Sequence, residues 1–450
     1  MDEQGVYCQA FADDVVLVFS GHNTQDIEIK ANTALEQINQ WGSLNKLKFA
    51  AQKTHAMLIT RKFKYDTPHL NMGGKDITLV KEIKILGITI DSKLTYKKHI
   101  SNISKKALNI YKQLSRAAKV SWGLNPEVIR TIYAAAVEPI VLYAASVWAK
   151  SLEQKGIQKQ LNTIQREFAQ KICKAYKTVS LHSALLLAGL VPLDLRVQEQ
   201  AKLYEAKRGR PLEYLPDDRE IEQRISFMDA EHPAFNKSID YSCIDSLNLE
   251  TIQKHRIEGA FIFTDGSKIK GKVGVAISVW ERGVETKAMK LKLEPFCTVF
   301  QAEMYALDRA VRHIKDKNIQ KSNLFSDSKS SLDLIKRHTT THPLACSIRK
   351  NLIAIQKQGK ALHIFWVKAH VGVEGNERAD HLDKEAALYK RTKADYDACP
   401  ISYIKHSIRS DTLEKWQNRY GKIPQDQLPE QLSYFYQMSN RPTKFSNKPN

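Results

Sequence analysis

A short apolar stretch that ends in Thr-Asp-Gly-Ser, residues 261–267, constrains the fold more than any other feature of this chain. Its alternating residues predict a β-strand with Phe261, Phe263 and Asp265 on one face. An aspartate at the tip of a buried strand is costly unless a partner such as a cation offsets its charge. An Asp-Gly pair alone is typical of an ordinary turn, so the interpretation depends on what else lies near Asp265.

Three later carboxylates occupy positions that predict burial or a strand end. Glu303 lies on the apolar side of a helix predicted from Thr298 to about Ile314. Asp327 ends a second short strand, and Asp380 lies within a later helix. Three or four carboxylates that converge in this way form an oxygen-rich site suited to Mg²⁺ or Mn²⁺. Two such ions about 4 Å apart can activate water and stabilise the leaving oxygen in phosphodiester hydrolysis.

In order and separation, these motifs closely resemble those of type 1 ribonuclease H over roughly residues 258–392. They are Thr-Asp-Gly-Ser, then Ala-Glu-Met-Tyr-Ala-Leu, then Ser-Asp-Ser, then Trp-Val-Lys-Ala-His-Val-Gly-Val-Glu-Gly-Asn-Glu-Arg-Ala-Asp. Each motif is weak alone, whereas the ordered set is very specific. The resemblance implies an α/β fold, a ribonuclease H-like five-stranded mixed sheet with helices on both faces.

The resemblance also implies roles for the matching residues. Two Mg²⁺ or Mn²⁺ ions would be held by Asp265, Glu303, Asp327 and Asp380. His370, on a loop, would assist proton transfer or product release, although a loop histidine alone usually faces solvent. The substrate would be the RNA strand of an RNA–DNA hybrid, read through its 2′-hydroxyls and duplex shape, with first contacts from backbone groups of Gly266 and Ser267.

Other acidic residues near these motifs are alternatives to the matched set. Asp308 follows Glu303 by five residues and lies off the predicted apolar stripe. Asp333 is expected to point away from the strand that ends at Asp327, and Asp316 is a further decoy. Asp383, three residues beyond Asp380, is the most credible alternative ligand.

The first ninety residues resemble the rear of the palm of non-LTR (LINE-like) retrotransposon reverse transcriptases. Phe11-Ala-Asp-Asp14 matches the double-aspartate hairpin, Gln52-Lys-Thr54 the following lysine motif, and Ile85-Leu-Gly87 the primer-grip hairpin. Asp13 and Asp14 would then be a residual polymerase motif, whereas alone they would be a solvated hairpin tip. The family's upstream metal-binding aspartate has no counterpart here, so we expect no reverse transcriptase activity and a truncated C-terminal portion of an element-encoded polyprotein.

Residues 96–206 are predicted to be helical, with apolar residues at helical spacing from Ile100 to Leu114 and many lysines on the polar faces. Pro126 is well placed to begin a helix. The family counterpart is the thumb, which holds the primer–template duplex; the alternative is an ordinary solvated face. The chain carries 69 Lys+Arg against 49 Asp+Glu, a net charge of +20, which favours nucleic acid over a membrane as partner.

The sequence therefore predicts five regions. They are a partial palm at 1–95, a helical thumb-like region at 96–206, a linker at 207–257, a ribonuclease H domain at 258–392 and a partly disordered tail at 393–450. Within the tail, Ile401 to Tyr420 could form one helix. The most apolar run, Ile132 to Trp148, is interrupted by Glu138-Pro139 and is short for a membrane span, so it predicts two buried helices.

The six cysteines show no metal-binding or Cys-x-x-Cys spacing, which favours free thiols in a reducing compartment. Without a signal-peptide layout, we expect an intracellular protein of the nucleus or cytoplasm with no membrane partner. The leading hypothesis is a metal-dependent endonuclease that cuts the RNA of RNA–DNA hybrids, with the element RNA and its cDNA as partners. The alternatives are an inactive nucleic-acid-binding remnant, or the C-terminal part of an RNA-directed DNA polymerase that needs its N-terminal half.

Overall fold

The structure is a computed structural model that describes residues 6–119, 121–210, 219–226, 228–229, 238–244, 247–255, 257–317, 319–369 and 371–421. The chain divides into two compact units, Met1–Ala201 and Lys202–Asn450. His370 and residues 422–450 lie outside the described ranges.

The first unit combines short strands with helices. Its strands are β1 (Val6–Phe11), β2 (Asp14–Phe19), β3 (His55–Ala56), β4 (Asn71–Met72), β5 (Lys75–Asp76), β6 (Thr78–Leu79), β7 (Glu82–Ile85) and β8 (Ile88–Asp91). Its helices are α1 (Thr24–Leu44), α2 (Lys97–Ala117), α3 (Pro126–Ile132), α4 (Glu138–Leu142), α5 (Ala145–Trp148), α6 (Lys155–Ile172), α7 (Leu181–Leu187) and α8 (Leu193–Lys207), the last of which continues past Ala201. The hairpins predicted around Phe11–Asp14 and Ile85–Gly87 appear as β1–β2 and β7–β8.

The apolar run from Ile132 to Trp148 does not break where the sequence predicts. A π-helical segment, Tyr133–Val137, leads directly into α4, and the chain turns only after α4, where Ala144 has a φ of 50°. Pro139 lacks a backbone N–H, so an α-helix would leave a carbonyl unpaired one turn earlier. The wider π turns lie directly before the proline, and the helix continues through it.

Among the described residues, no single helix is both long enough and apolar enough to cross a membrane. One pair, Pro126–Leu142 and Ala145–Glu153, reaches that length and composition only jointly, and the two parts are bent by 49°.

The second unit is built on one mixed sheet. Its strands are β9 (Ser242–Ile244), β10 (Ala260–Ile269), β11 (Lys272–Glu281), β12 (Val284–Leu293), β13 (Lys321–Ser326) and β14 (Ala361–Val367). Its helices are α9 (Leu249–Lys254), α10 (Val299–Asp316), α11 (Lys329–Lys336), α12 (Pro343–Lys357), α13 (Glu374–Tyr389) and α14 (Ile401–Gly421). The strand order is β12-β11-β10-β13-β14-β9, with antiparallel pairing among β10, β11 and β12 and parallel pairing from β10 through β9.

This mixed α/β arrangement confirms the predicted fold class, with one strand more than the five predicted. The extra strand, β9, comes from the segment predicted to be a linker, and it pairs with the end of β14. Three residues are too few for a period-2 pattern to stand out, which is why the sequence did not reveal it.

Helices cover both faces of the sheet because neighbouring residues of β10 point in opposite directions. Ile262 packs in a cluster with α10 and α12, whereas Phe263 packs with Phe325, Phe365 and Ala379 of α13. The functional region therefore lies where α10, α13 and the ends of the parallel strands approach β10.

Candidate active site

Asp265 lies in the middle of β10 rather than at its end. The strand continues to Ile269 because it pairs with β11 as a long hairpin, so the predicted strand end is wrong. The parallel pairing with β13, however, stops at Thr264 and Ser326, one residue before Asp265. Burial, followed by the charge of Asp327, raises the pKa of Asp265 from 3.8 to about 7. Asp265 is therefore a buried carboxylate with a nearby negative neighbour.

Glu303 reaches this point from α10. The helix begins in a capping box, in which the Thr298 hydroxyl accepts from the Gln301 backbone N–H at 3.1 Å and the Gln301 side chain accepts from the Thr298 N–H. Gly266 lets the helix approach β10 closely, since a Cβ at this residue would lie 2.7 Å from the Glu303 backbone nitrogen. Burial, followed by the charge of Asp265, raises the pKa of Glu303 well above its ordinary value.

Asp327 is the first residue after β13. Its backbone carbonyl accepts hydrogen bonds from the Trp366 indole N–H at 2.9 Å and from the Lys329 N–H at 3.0 Å. These bonds fix the chain where it leaves the sheet and enters α11. Asp327 thus stands beside Asp265 at the end of the parallel ladder, as the sequence predicts.

The structure brings three of the predicted ligands together. One carboxylate oxygen from each of Asp265, Glu303 and Asp327 lies within 4.8 Å of the other two. The second oxygen of Glu303, Oε2, is buried and has no hydrogen-bond partner. A compact set of acidic oxygens that repel one another, one of them buried and unpaired, is the donor set that hard divalent cations prefer. The residues present therefore fit a Mg²⁺ or Mn²⁺ ion.

Asp380, the fourth predicted ligand, lies outside this group of three. Its carboxylate forms an ion pair with Lys384 at 2.6 Å, one turn later on α13. It is nevertheless close enough for its charge to raise the pKa of Asp265 and of Asp383, in each case after burial and other, larger causes. Asp380 borders the site rather than completing the group.

Asp383, the alternative ligand, is fully buried, and its carboxylate makes no well-formed hydrogen bond. The Ser267 hydroxyl lies near enough to favour its ionised form and lower its pKa. Burial, followed by the charge of Asp265, raises the pKa of Asp383 to about 8. Its backbone packs against Gly274 so closely that a Cβ there would lie within van der Waals overlap of the Asp383 carbonyl oxygen. Asp380 and Asp383 are therefore a fourth and a fifth carboxylate beside the group of three.

The remaining predicted contacts are placed less directly. His370 lies outside the described residues, so its role stays a prediction. The Gly266 N–H already donates to Asp265 Oδ1 at 2.7 Å, and the buried Ser267 hydroxyl faces Asp383, whose pKa it lowers. Substrate contacts at these two residues remain proposals.

The decoy residues have structural partners of their own. Asp308, predicted to lie off the buried stripe, is in fact buried at 1% exposure, because α12 packs over that side of α10. Its carboxylate accepts from Ser347 Oγ at 2.7 Å and pairs with Arg312 at 2.8 Å. Asp333 accepts from the Tyr241 hydroxyl at 2.6 Å, and Asp316 is exposed.

Asp13 and Asp14 lie at the β1–β2 turn of the first unit, where Ala12 has a φ of 52°. Both aspartates are exposed. Among the described residues, neither aspartate belongs to a group of three or more acidic, histidine or cysteine side chains close enough to share a metal ion. Their assignment as a residual polymerase motif therefore stays a prediction.

Comparison with known proteins adds evidence for the second unit. The family model described as RNase H matches residues 258–388. The chain is 31% identical over 209 residues to the "Putative 115 kDa protein in type-1 retrotransposable element R1DM" of Drosophila melanogaster, covering 46% of this chain and 20% of that protein. It is 24% identical over 220 residues to the "Retrovirus-related Pol polyprotein from type-1 retrotransposable element R1 4" of Nasonia vitripennis, covering 45% and 56%.

A third relative is the "Retrovirus-related Pol polyprotein from type-1 retrotransposable element R1" of Bradysia coprophila. It is 26% identical over 206 residues, which cover 46% of this chain and 20% of that polyprotein. The matches with these three relatives thus cover between a fifth and rather more than half of their lengths.

Proposed function

We propose that residues 258–388, a ribonuclease H domain from a chain related to R1 non-LTR retrotransposon polyproteins, hydrolyse the RNA strand of RNA–DNA hybrids with the help of divalent metal ions. The observation that carries the proposal is the convergence of Asp265, Glu303 and Asp327 within 4.8 Å. Nucleic-acid hydrolysis uses such a carboxylate group, and the family match supplies the hybrid as substrate class.

Asp265, Glu303 and Asp327 would hold the metal, with Asp380 as a further ligand from α13. When bound, Mg²⁺ or Mn²⁺ supplies the charge that activates water and stabilises the leaving oxygen. The pKa values of Asp265 and Glu303 are raised first by burial and then by the neighbouring negative charges. The described residues thus bury several carboxylates together without enough positive charge to balance them. The site is therefore arranged to be neutralised by an added cation.

The chain's own groups keep these carboxylates in position. The Gly266 N–H holds Asp265, the capping box begins the helix that carries Glu303, and the Trp366 indole holds the backbone at Asp327. Positions fixed in this way favour catalysis because little reorganisation is needed when the scissile phosphate binds. His370, by the family resemblance, would exchange a proton with the reacting groups or the product.

The direct test uses the full chain and a labelled RNA–DNA hybrid in Mg²⁺, in Mn²⁺ and in EDTA. We expect internal cuts in the RNA strand with either metal, none in EDTA, and no cutting of the DNA strand or of duplex DNA. A matched Asp316→Asn variant, altered at an exposed aspartate on the same helix as Glu303, should cut as the unaltered chain does. A folded chain that leaves hybrids intact with both metals would overturn the proposal in favour of a binding remnant.

A further inference from the structure

We propose that a lysine-lined cleft beside the β10–β11 hairpin binds a backbone phosphate of the duplex whose RNA strand the carboxylates cut. Lys272, Lys292 and Lys393 line the cleft together with Leu293 and Pro295. The cleft has a volume of about 270 Å³, which is room for a phosphate group with several waters at about 30 Å³ each. This inference rests on the proposed function and adds a second contact for the same substrate.

The walls of the cleft are held by backbone pairing. After α13 the chain returns along the end of β12, where the Asp395 N–H donates to the Lys292 carbonyl at 2.6 Å and the Glu294 N–H donates to the Tyr396 carbonyl at 3.2 Å. The Asp395 carboxylate also accepts from the Lys292 N–H at 2.8 Å. Lys292 and Lys393 are therefore carried on two strands of chain that are bonded to each other, so the concave shape is built into the fold.

The charge of the cleft is not neutralised by its own acidic groups. Among the described residues, no carboxylate lies within ion-pair distance of the ammonium groups of Lys272, Lys292 and Lys393. Glu294, the acidic residue that lines the cleft, is paired with Arg219 at 2.9 Å. Asp395, close by, is paired with Lys390 at 2.8 Å. Three lysines thus lend positive charge to a concave surface whose nearby carboxylates are already paired with other cations, which favours an anion with several oxygens.

The hairpin relates this cleft to the carboxylates. Lys272 pairs across the turn with Ile269, which follows Asp265 by four residues on β10. At about 3.3 Å per residue, the cleft begins roughly 13 Å from Asp265 along the strand. For a duplex whose axis follows β10, a rise of about 3.4 Å per nucleotide makes this span about four nucleotides. The bound phosphate should therefore lie some three to five nucleotides from the cut.

The first experiment compares two triple variants of the full chain. Lys272→Gln/Lys292→Gln/Lys393→Gln removes the cleft charges, and Lys350→Gln/Lys357→Gln/Lys405→Gln removes as much charge from exposed lysines outside it. We expect the cleft variant to raise KM for the hybrid about tenfold with kcat unchanged. The slope of log affinity against log salt should also fall by about one, the value for one phosphate contact. Equal effects of the two triple variants would overturn the cleft assignment.

The second experiment finds the phosphate itself. A set of hybrids, each with one methylphosphonate, is bound to the chain in an Asp327→Asn background so that nothing is cut. The protein that keeps the three cleft lysines should bind less tightly when the methylphosphonate lies at one position, three to five nucleotides from the cut. The cleft variant should show no loss of affinity at that position. If the same position matters in both proteins, the cleft is not the site. If the unaltered chain cuts no hybrid at all, the proposed function fails instead, and the two failures are thereby distinguished.

Discussion

The carboxylate of Asp380 lies 2.6 Å from the ammonium group of Lys384, one helical turn further along α13. The charge of Lys384 also acts on Asp265 and Asp383, whose pKa values it lowers against the larger effect of burial. The Lys384 ammonium group is thus paired with one proposed metal ligand, Asp380, and its charge also reaches Asp265 and Asp383. Because like charges repel, a positive Lys384 side chain and a bound metal ion oppose each other.

Replacing Lys384 by glutamine should therefore tighten metal binding several-fold. The substitution frees the Asp380 carboxylate and removes a positive charge from the site. The measurement is a Mg²⁺ or Mn²⁺ titration by calorimetry, with the exposed Lys350→Gln variant as control. Weaker metal binding in Lys384→Gln would mean that the lysine positions Asp380 for the metal instead of competing with it.

The substitution Asp327→Asn should abolish hybrid cleavage and leave the fold intact. It removes one oxygen charge from the group of three without changing the size of the side chain. Without metal, the variant should melt at the same temperature or slightly higher, because repulsion with Asp265 is relieved. Cleavage rates and melting curves in EDTA and in Mg²⁺ check both parts.

The matched control is Asp316→Asn, at an exposed residue near the end of α10. It should change stability by less than about 0.5 kcal/mol and leave cleavage unaltered. Asp333 is a poorer control, because its carboxylate accepts from the Tyr241 hydroxyl at 2.6 Å. Full activity in Asp327→Asn, or equal loss in both variants, would contradict the site assignment.

The sequence predicted those parts of the fold that have a long period or an ordered motif. The regular apolar spacing from Ile27 to Ile38 predicts a helix over Thr24–Leu44, and α1 has these bounds, with the Asn23 side chain capping its first turn. The second-unit sheet was implied by the family that the ordered motifs resemble, and the convergence of Asp265, Glu303 and Asp327 was expected from the placement of those motifs on strands and a helix. Local sequence patterns predict an element correctly when they are repeated over several turns or strands.

What the sequence missed depends on contacts between distant segments. Asp308 lies off the apolar stripe of α10, so the sequence of that helix alone predicts exposure. It is buried because α12 packs over it, and Ser347 of α12 donates to its carboxylate. Strand β9 is three residues long and is defined by its partner, β14. The carbonyl of Leu86 accepts from the Tyr143 hydroxyl at 2.8 Å across 57 residues, which no local pattern encodes. Such features follow from packing, where tertiary context overrides local preference.

Without metal, the stability of the second unit should fall as the pH rises from about 5 to 8.5. The pKa of Asp265 is raised to about 7 and that of Asp383 to about 8, from 3.8. The folded chain therefore keeps protons that the unfolded chain releases above about pH 4, and this stabilisation is lost as the pH passes 7 to 8. Melting curves in EDTA across this range measure the loss. Mg²⁺ should raise the melting temperature more at pH 8 than at pH 5, and a pH-independent effect of Mg²⁺ would argue against these carboxylates as its site.

Replacing Asp383 by asparagine should stabilise the metal-free protein at pH 8 and preserve cleavage. Asp383 is fully buried, and burial together with the charge of Asp265 opposes its ionised form more strongly than the Ser267 hydroxyl favours it. A neutral side chain of the same size avoids that cost, with an expected gain of at least about 1 kcal/mol. Glu377→Gln, at an exposed position of the same helix, should change little. Loss of cleavage with normal folding would instead make Asp383 a metal ligand.

The family match ends at residue 388, yet the folded unit should need the chain on both sides of it. Ile221 forms a parallel bridge with Cys399, and Ile404 and Ile408 of α14 are buried beside them with Ala206. Replacing Ile404 by alanine should therefore cost about 2–5 kcal/mol of unfolding free energy, whereas Leu413→Ala, 41% exposed on the same helix, should cost far less.

A fragment of residues 258–392 lacks all of these contacts, so it should melt at least about 10 °C below a fragment of residues 202–421, at about 2–4 °C per kcal/mol for a unit of this size. Urea and thermal unfolding of the two fragments, with hybrid cleavage measured on each, make the comparison. Equal melting temperatures would mean that α14 and the segment before β9 lie against the domain without stabilising it.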